Sequence, residues 1–357
     1  MTIPPLFNRA ARGWYAPGRQ VFYRLNRVLS MVKTPLYVHW LATHECNLHC
    51  RHCEASAGEK TPSPVSTEQI GRAVGEMGLM GVRTLVVTGG EPLMRDDLFA
   101  VMALARMRGL KKIYLATNGG LVTKHRAELE QARLDRVYIN LDGLEDSHDA
   151  LRAGRGAFRQ ALEALLFFQK AGVGERVVNT VLHPGNIHQL EKLEELIRRS
   201  GGTQWNIQTA VPRGRAEDLP ELFLDRGQTL FLLNYLRSAR RRINIRMAEP
   251  PGHLGEWDPW LRSRPFFCGA GRETCSIMPD GEVLGCHVIY DNAFSAGNIK
   301  HTSFRSIWTN NQGRFKSPPP HKVCRSCKSW RACRGGCWAM RLGPDPCLLE
   351  SGRPASR

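Results

Sequence analysis

At 357 residues with 42% hydrophobic content, the chain is long and apolar enough for two or three domains with ordinary cores, which excludes a disordered chain. Its longest apolar runs, such as Ala164 to Phe168, fall far short of the roughly 18 to 20 residues that a bilayer span needs, so no transmembrane segment is expected. Lysine and arginine number 50 against 33 acidic residues, a formal charge of +17, which would suggest an anionic partner; eleven cysteines, if ionised, would lower that excess.

Residues 1–36 form a basic N-terminal extension. Val21, Phe22, Leu25, Val28, Leu29 and Val32 recur at helical spacing, with Arg19, Arg24, Arg27 and Lys33 on other faces. This predicts an amphipathic helix that either packs on the next domain or docks on a membrane surface or peptide. Arginines interrupt the apolar residues and no small-residue cleavage site follows, so a secretory signal is excluded and the cytoplasm is the expected location. An odd cysteine count without an export signal speaks against a disulfide scaffold and for metal ligands or redox thiols.

From residue 37 to 211, short β-branched runs alternate with amphipathic stretches. Strands are expected at Tyr37–Leu41, Thr84–Thr88, Lys112–Thr117, Arg136–Leu141, Val177–Val181 and Gln204–Thr209. Ser66 and Gln69 form a capping box that opens a helix to Met80, and Gly109, Gly172 and Gly201 close helical runs where a left-handed residue belongs. Six βα units of this kind predict an α/β fold, a partial (β/α)6 TIM-like barrel with its working loops at the strand C-termini. Residues 212–265 read as a helical linker, Leu222 to Arg242, and a connector rich in Pro, Gly and Trp. A small C-terminal domain follows at 266–350, with a free tail at 351–357.

The cysteines fall into two groups, Cys46, Cys50 and Cys53 in front and eight from Cys268 to Cys347 behind, with none between. Ligands bunch in this way where loops converge on a metal. The front group is a C-x3-C-x2-C directly after the first expected strand. Three cysteines on one loop can hold three corners of a [4Fe-4S] cubane and leave its fourth iron open; the competing reading is a zinc site that borrows His44, His49 or His52. The spacing resembles the radical S-adenosylmethionine (SAM) enzymes, in which an aromatic residue precedes the third cysteine; His52 takes that place here, and its ring can lie against the adenine.

Further motifs of that family stand at later strand ends. Thr88-Gly89-Gly90-Glu91-Pro92 follows the second strand, Thr117-Asn118-Gly119 the third, and Asn140-Leu141-Asp142-Gly143 the fourth. By resemblance, Gly89, Gly90 and Glu91 meet the methionyl ammonium group, the glycines allowing close backbone approach, and Asn118 and Asn140 join them around the cofactor. The family more often has Ser where Asn140 stands. Arg152 is expected either to pair with the cofactor carboxylate or to form a surface salt bridge. Val211-Pro212-Arg213-Gly214-Arg215-Ala216 matches a segment found in relatives that carry an auxiliary-cluster domain.

The rear group, Cys268, then Gly281-x4-Cys286, then Cys324-x2-Cys327-x5-Cys333-x3-Cys337, then Cys347, resembles that domain, called SPASM. The family pattern has seven cysteines, and Cys275 makes eight. The resemblance implies two auxiliary [4Fe-4S] clusters, the first on Cys268, Cys275, Cys286 and Cys337 and the second on Cys324, Cys327, Cys333 and Cys347. A zinc ribbon at Cys324, Cys327, Cys333 and Cys337 is the alternative.

The expected activity is a radical SAM oxidoreductase. Reductive cleavage of SAM gives a 5'-deoxyadenosyl radical that takes a substrate hydrogen atom, the leftover electron passes to the auxiliary clusters, and a flavodoxin- or ferredoxin-type donor supplies the low-potential electron. Substrates in the family include peptides and proteins, small metabolites and tetrapyrroles, and a peptide or protein is preferred here. Sulfatase-maturing members carry an Asp base where this chain has His287, which reads as a base or as a hydrogen-bonding neighbour. A third reading, a non-enzymatic iron-sulfur or zinc protein on nucleic acid, lacks any aromatic-basic motif, and no nucleic-acid partner is expected.

Overall fold

The computed structural model describes residues 34–248, 252–262, 266–311, 315–343 and 347. The expected amphipathic N-terminal helix and the C-terminal tail lie outside the described residues.

Among the described residues ten strands form one sheet, in the order β10 (Ser295–Asn298), β9 (Glu282–Leu284), β8 (Thr274–Ile277), β1 (Tyr37–Leu41), β2 (Thr84–Thr88), β3 (Lys112–Thr117), β4 (Arg136–Asn140), β5 (Glu175–Leu182), β6 (Gln204–Thr209) and β7 (Ile245–Met247). Six of them, β1 to β6, are the βα strands read from the sequence. Each pairs in parallel with the next. The helices between them include α1 Thr67–Met80, α2 Leu98–Met107, α3 Arg126–Gln131, α4 Glu145–Arg152, α5 Ala157–Lys170 and α6 Leu190–Arg199. The Ser66–Gln69 capping box is present in both directions, so two of the free N–H groups at the start of α1 are satisfied. Gly109, Gly172 and Gly201 all take left-handed φ.

Alternation along the strands sorts the two faces. Val38, Trp40, Leu85, Val87, Ile113, Leu115, Val137, Ile139, Trp205 and Ile207 are buried in the main core against the helices. The intervening positions, among them His39, Asn140, Asn179, Asn206 and Gln208, carry polar groups on the opposite, concave face.

The sheet extends beyond six strands at both edges. Helix α7, Arg226–Ala239, is shorter than the Leu222 to Arg242 run the sequence suggests, and β7, Ile245–Met247, then pairs in parallel with β6. On the other side β8, Thr274–Ile277, pairs in parallel with β1. It begins a small antiparallel unit with β9, Glu282–Leu284, and β10, Ser295–Asn298. The region carrying the rear cysteines is thereby welded to the first barrel strand. Among the described residues no helix is long and apolar enough to cross a membrane.

A candidate cluster and cofactor site at the strand ends

The front cysteines sit on the loop after β1, which closes on itself. Gly58 N donates to His44 O at 2.9 Å and the His44 Nε2 lies 2.8 Å from Ala55 O. The loop is held from both sides. Gly90 N donates to Thr43 O and Glu91 N to Glu45 O, each at 2.8 Å. A Cβ on Gly90 would lie 2.2 Å from Glu45 O, and one on Gly89, whose φ is +136°, 2.4 Å from Thr43 O. The close approach that this glycine pair permits is therefore to the backbone of the cysteine loop.

From the far side comes the segment after β6. Arg215 Nε donates to Cys50 O at 2.7 Å, its Nη1 to Ala57 O at 2.8 Å, and its backbone N to Cys53 O at 3.0 Å. Gly214, at φ +57°, lies so near that a Cβ would be 2.4 Å from Cys53 O. The sequence shows this segment only as a motif; its task in the structure is to clamp the loop.

A cavity of about 190 Å³ at the C-terminal ends of the strands is lined by Cys46, Cys50, Cys53, His52, Gly89, Gly90, Asn118, Asn140, Arg152 and His287. These are the expected front-site residues except Glu91. Glu91 is fully buried behind that wall: it accepts from Thr117 Oγ1 and Asn118 N, each at 2.8 Å, and from Leu93 N at 3.2 Å. Burial pushes its carboxyl up to about 7, opposed by these hydrogen bonds. Its side chain thus ties the end of β2 to the end of β3. The inner cavity shares Cys46, Leu48, Ala57 and Tyr290 with a wider cleft of about 1130 Å³.

Two donors point at the front sulfurs. Asn118 Nδ2 lies 3.9 Å from Cys46 Sγ and Arg152 Nη1 3.8 Å from Cys50 Sγ. Arg152 is buried, donates through Nε to Asp142 Oδ2 at 2.6 Å, and meets the Asn140 amide oxygen at 3.0 Å when that amide is turned to accept. Asp142 also accepts from Val181 N at 2.8 Å. The arginine is therefore no surface salt bridge: it is buried, its counter-ion is Asp142, and it also lines the cavity. Burial raises the Asp142 carboxyl, but the Arg152 guanidinium, the His52 and His148 rings and the Val181 N–H together outweigh it, holding the acid down at about 2.

The site fits a cluster and an adenosyl cofactor on the chemistry of its donors. Burial pushes the Cys46 thiol up to about 11 and raises that of Cys50; coordination to iron would hold both as thiolates, with N–H donors already aimed at the sulfurs. His52 is driven down to about 3 by burial, and its Nδ1 is buried with no hydrogen-bond partner, an orphaned group inside the cavity. Among the described residues no three His, Cys, Asp or Glu side chains converge closely enough to hold a single ion.

His287 stacks flat on His39 of β1, ring centroids 4.1 Å apart and 6° from parallel. Burial lowers His287 to about 4, and burial together with His287 lowers His39 well below its ordinary value. Both rings are neutral near pH 7. Sequence reasoning missed His39, and it missed Glu54 and Tyr290, which line the cavity beside Cys53; nothing in the spacing of these residues marks them.

The rear cysteines separate into groups. Cys268, Cys286 and Cys337 share a small core with Val211, Phe266, Val288, Ala339 and Met340, and Cys286 feels both other thiols. Cys324 feels Cys327 and Cys347, and Cys333 feels Cys324 and Cys327. Arg341 lies between the groups, within electrostatic reach of Cys268, Cys337, Cys333 and Cys324. Cys275 stands apart from all of them, in the main core.

The fold and the loop geometry define a class: residues 40–228 match the radical SAM superfamily and residues 268–328 an iron-sulfur cluster-binding domain, SPASM. The chain belongs to the radical SAM superfamily, as a SPASM-type enzyme. It is 32% identical to the mycofactocin maturase MftC of Mycolicibacterium smegmatis over 90% of this chain and 84% of that protein. To the AdoMet-dependent heme synthase of Nitratidesulfovibrio vulgaris it is 28% identical over 84% of this chain and 86% of that one. Among solved structures, Streptococcus suis SuiB bound to S-adenosylmethionine superposes with a TM-score of 0.68 at 18% identity, covering 94% of this chain and 80% of the other.

Proposed function

We propose that the protein is a radical SAM oxidoreductase that modifies a peptide or protein and carries three [4Fe-4S] clusters. The observation that carries this is the single cavity joining Cys46, Cys50 and Cys53 to the Gly-Gly pair, Asn118 and Asn140 at the strand ends. Cys46, Cys50 and Cys53 would hold the front cluster and leave one iron for SAM, which supplies the adenosyl radical chemistry when bound.

The protein's share is positional. Gly90 and Arg215 fix the loop backbone from opposite sides, Asn118 and Arg152 face the sulfurs, and His52 turns an unpaired ring nitrogen into the cavity. A substrate entering through the wider cleft would meet charges of both signs on its walls, Lys60 and Arg213 with Glu59, Asp280 and Asp291, which suit the mixed charges of a peptide. The rear thiols would hold auxiliary clusters that take up the electron left on the substrate, with a flavodoxin- or ferredoxin-type donor feeding the front site.

The peptide reading is supported by the maturase among the relatives and by the basic charge of the chain. The heme synthase supports a second reading, the same chemistry on a tetrapyrrole or small metabolite. Mass spectrometry of a short peptide encoded beside the gene, incubated anaerobically with reduced protein and SAM, separates them. A mass change dependent on SAM establishes the first; an unmodified peptide together with turnover of a porphyrin precursor establishes the second.

A further inference from the structure

Of the eight rear cysteines, seven lie in two groups of thiols that act on one another, and one does not. Cys275 is on β8, and the register of β8 against β1 is Val38↔Cys275, His39↔Ser276 and Trp40↔Ile277. Registered side chains in a parallel pair stand on the same face of the sheet. Val38 and Trp40 are fully buried against the helices. Cys275 is on that same side, wholly buried in the main core, and burial alone acts on its thiol.

Bringing this thiol round to Cys268, Cys286 and Cys337 would require β8 to slip by one residue. Such a slip turns over every side chain of the strand: Ser276 would enter the apolar core and Ile277 would leave it. The register is pinned from the other side as well, by Ser276↔Leu284 and Ile277↔Val283 with β9.

We infer that the first auxiliary cluster is held by three thiolates, those of Cys268, Cys286 and Cys337, while Cys275 is a core residue, so that one iron of this cluster is open to a ligand from outside the thiol set. The inference rests on the reading of the rear thiols as cluster ligands and replaces the four-cysteine assignment for that cluster. It also gives the open position surroundings. Cys286 is within electrostatic reach of Glu54, and Glu54 lines the inner cavity together with His287 and Tyr290. His287, the neighbour of Cys286 in the chain, lines that cavity, so the first auxiliary site stands behind one of its walls. The second group, with four thiols, keeps a closed cluster.

The test uses anaerobically purified full-length holoprotein. Cys275→Val replaces a buried thiol by an apolar side chain of similar bulk. The expected result is an unchanged iron and sulfide content and unchanged electron paramagnetic resonance signals in the reduced protein. Loss of about a third of the iron in a variant that still melts cooperatively overturns the inference.

A second measurement does not depend on that variant folding. In the Cys46→Ala, Cys50→Ala, Cys53→Ala protein, which lacks the front ligands, added cyanide should shift one auxiliary signal and leave the other in place. Auxiliary clusters that are present and indifferent to cyanide overturn the open iron alone. Absence of auxiliary iron in the unaltered protein overturns the cluster reading, and the inference with it.

Discussion

Arg152 donates from one guanidinium edge to Asp142 at 2.6 Å and lies with another nitrogen 3.8 Å from Cys50 Sγ, so a buried ion pair built at the end of β4 faces a front thiol. Removing the arginine leaves Asp142 buried without its counter-ion, a change that costs about 3 to 5 kcal/mol in comparable sites. Arg152→Ala should therefore lower the denaturant midpoint sharply. Arg152→Lys, which keeps the charge but loses the planar fork, should fall between. Equal midpoints for all three proteins would show that the pair does not hold this end of the barrel.

Gly214→Ala tests the clamp on the cysteine loop. The added methyl would sit 2.4 Å from Cys53 O at a φ of +57°, so loop or clamp must move. A 1 Å misplacement around reacting groups costs on the order of a hundredfold in rate. The expected outcome is at least a tenfold loss in 5'-deoxyadenosine formation with the auxiliary iron retained. An unimpaired rate would show that the loop tolerates the displacement.

Acid should weaken the contact between α6 and the segment after α7. Arg242 binds Glu194 through both oxygens at 2.7 Å, and Tyr235 donates to the same carboxylate at 2.6 Å. The Arg242 hydrogen bond leads in holding the Glu194 carboxyl below its ordinary range. A carboxyl depressed in the folded state stabilises the fold above its unfolded pKa, and that contribution is lost as pH falls through the folded value. With Arg242 half exposed, the contribution is discounted to about 1 kcal/mol. The melting-temperature gap between the native chain and Glu194→Gln should be present at pH 7 and shrink as pH drops below about 4; a gap that stays constant or grows rules this linkage out.

Much of the fold was legible because strands read by alternation and helices by capping. The bounds of β1, β2, β3 and β6 agree with the sequence reading residue for residue; Ser66, Gly109 and Gly201 punctuate the chain around β2, β3 and β6. The strand β7 was not read: Ile243, Ile245 and Met247 do alternate with Asn244 and Arg246, but the run is short and directly follows the basic end of a helix. The Glu91 and Arg152 side chains were placed in the right region, yet their partners, Asn118 N and Asp142, are fixed by how neighbouring strand ends meet. The face of Cys275 depends on the register of β8 against β1, which joins residues more than 200 apart in the chain, and cysteine spacing carries no information about it.

The central claim, that the loop of Cys46, Cys50 and Cys53 is the site of SAM cleavage, is tested most directly by measuring 5'-deoxyadenosine from dithionite-reduced, anaerobically purified protein with SAM, for the native chain and for the variant with all three cysteines replaced by Ala. The account predicts formation by the native chain, and in the variant none, with roughly four irons lost per chain. Continued cleavage by the variant, or a native chain that holds stoichiometric zinc and makes no 5'-deoxyadenosine, would contradict it.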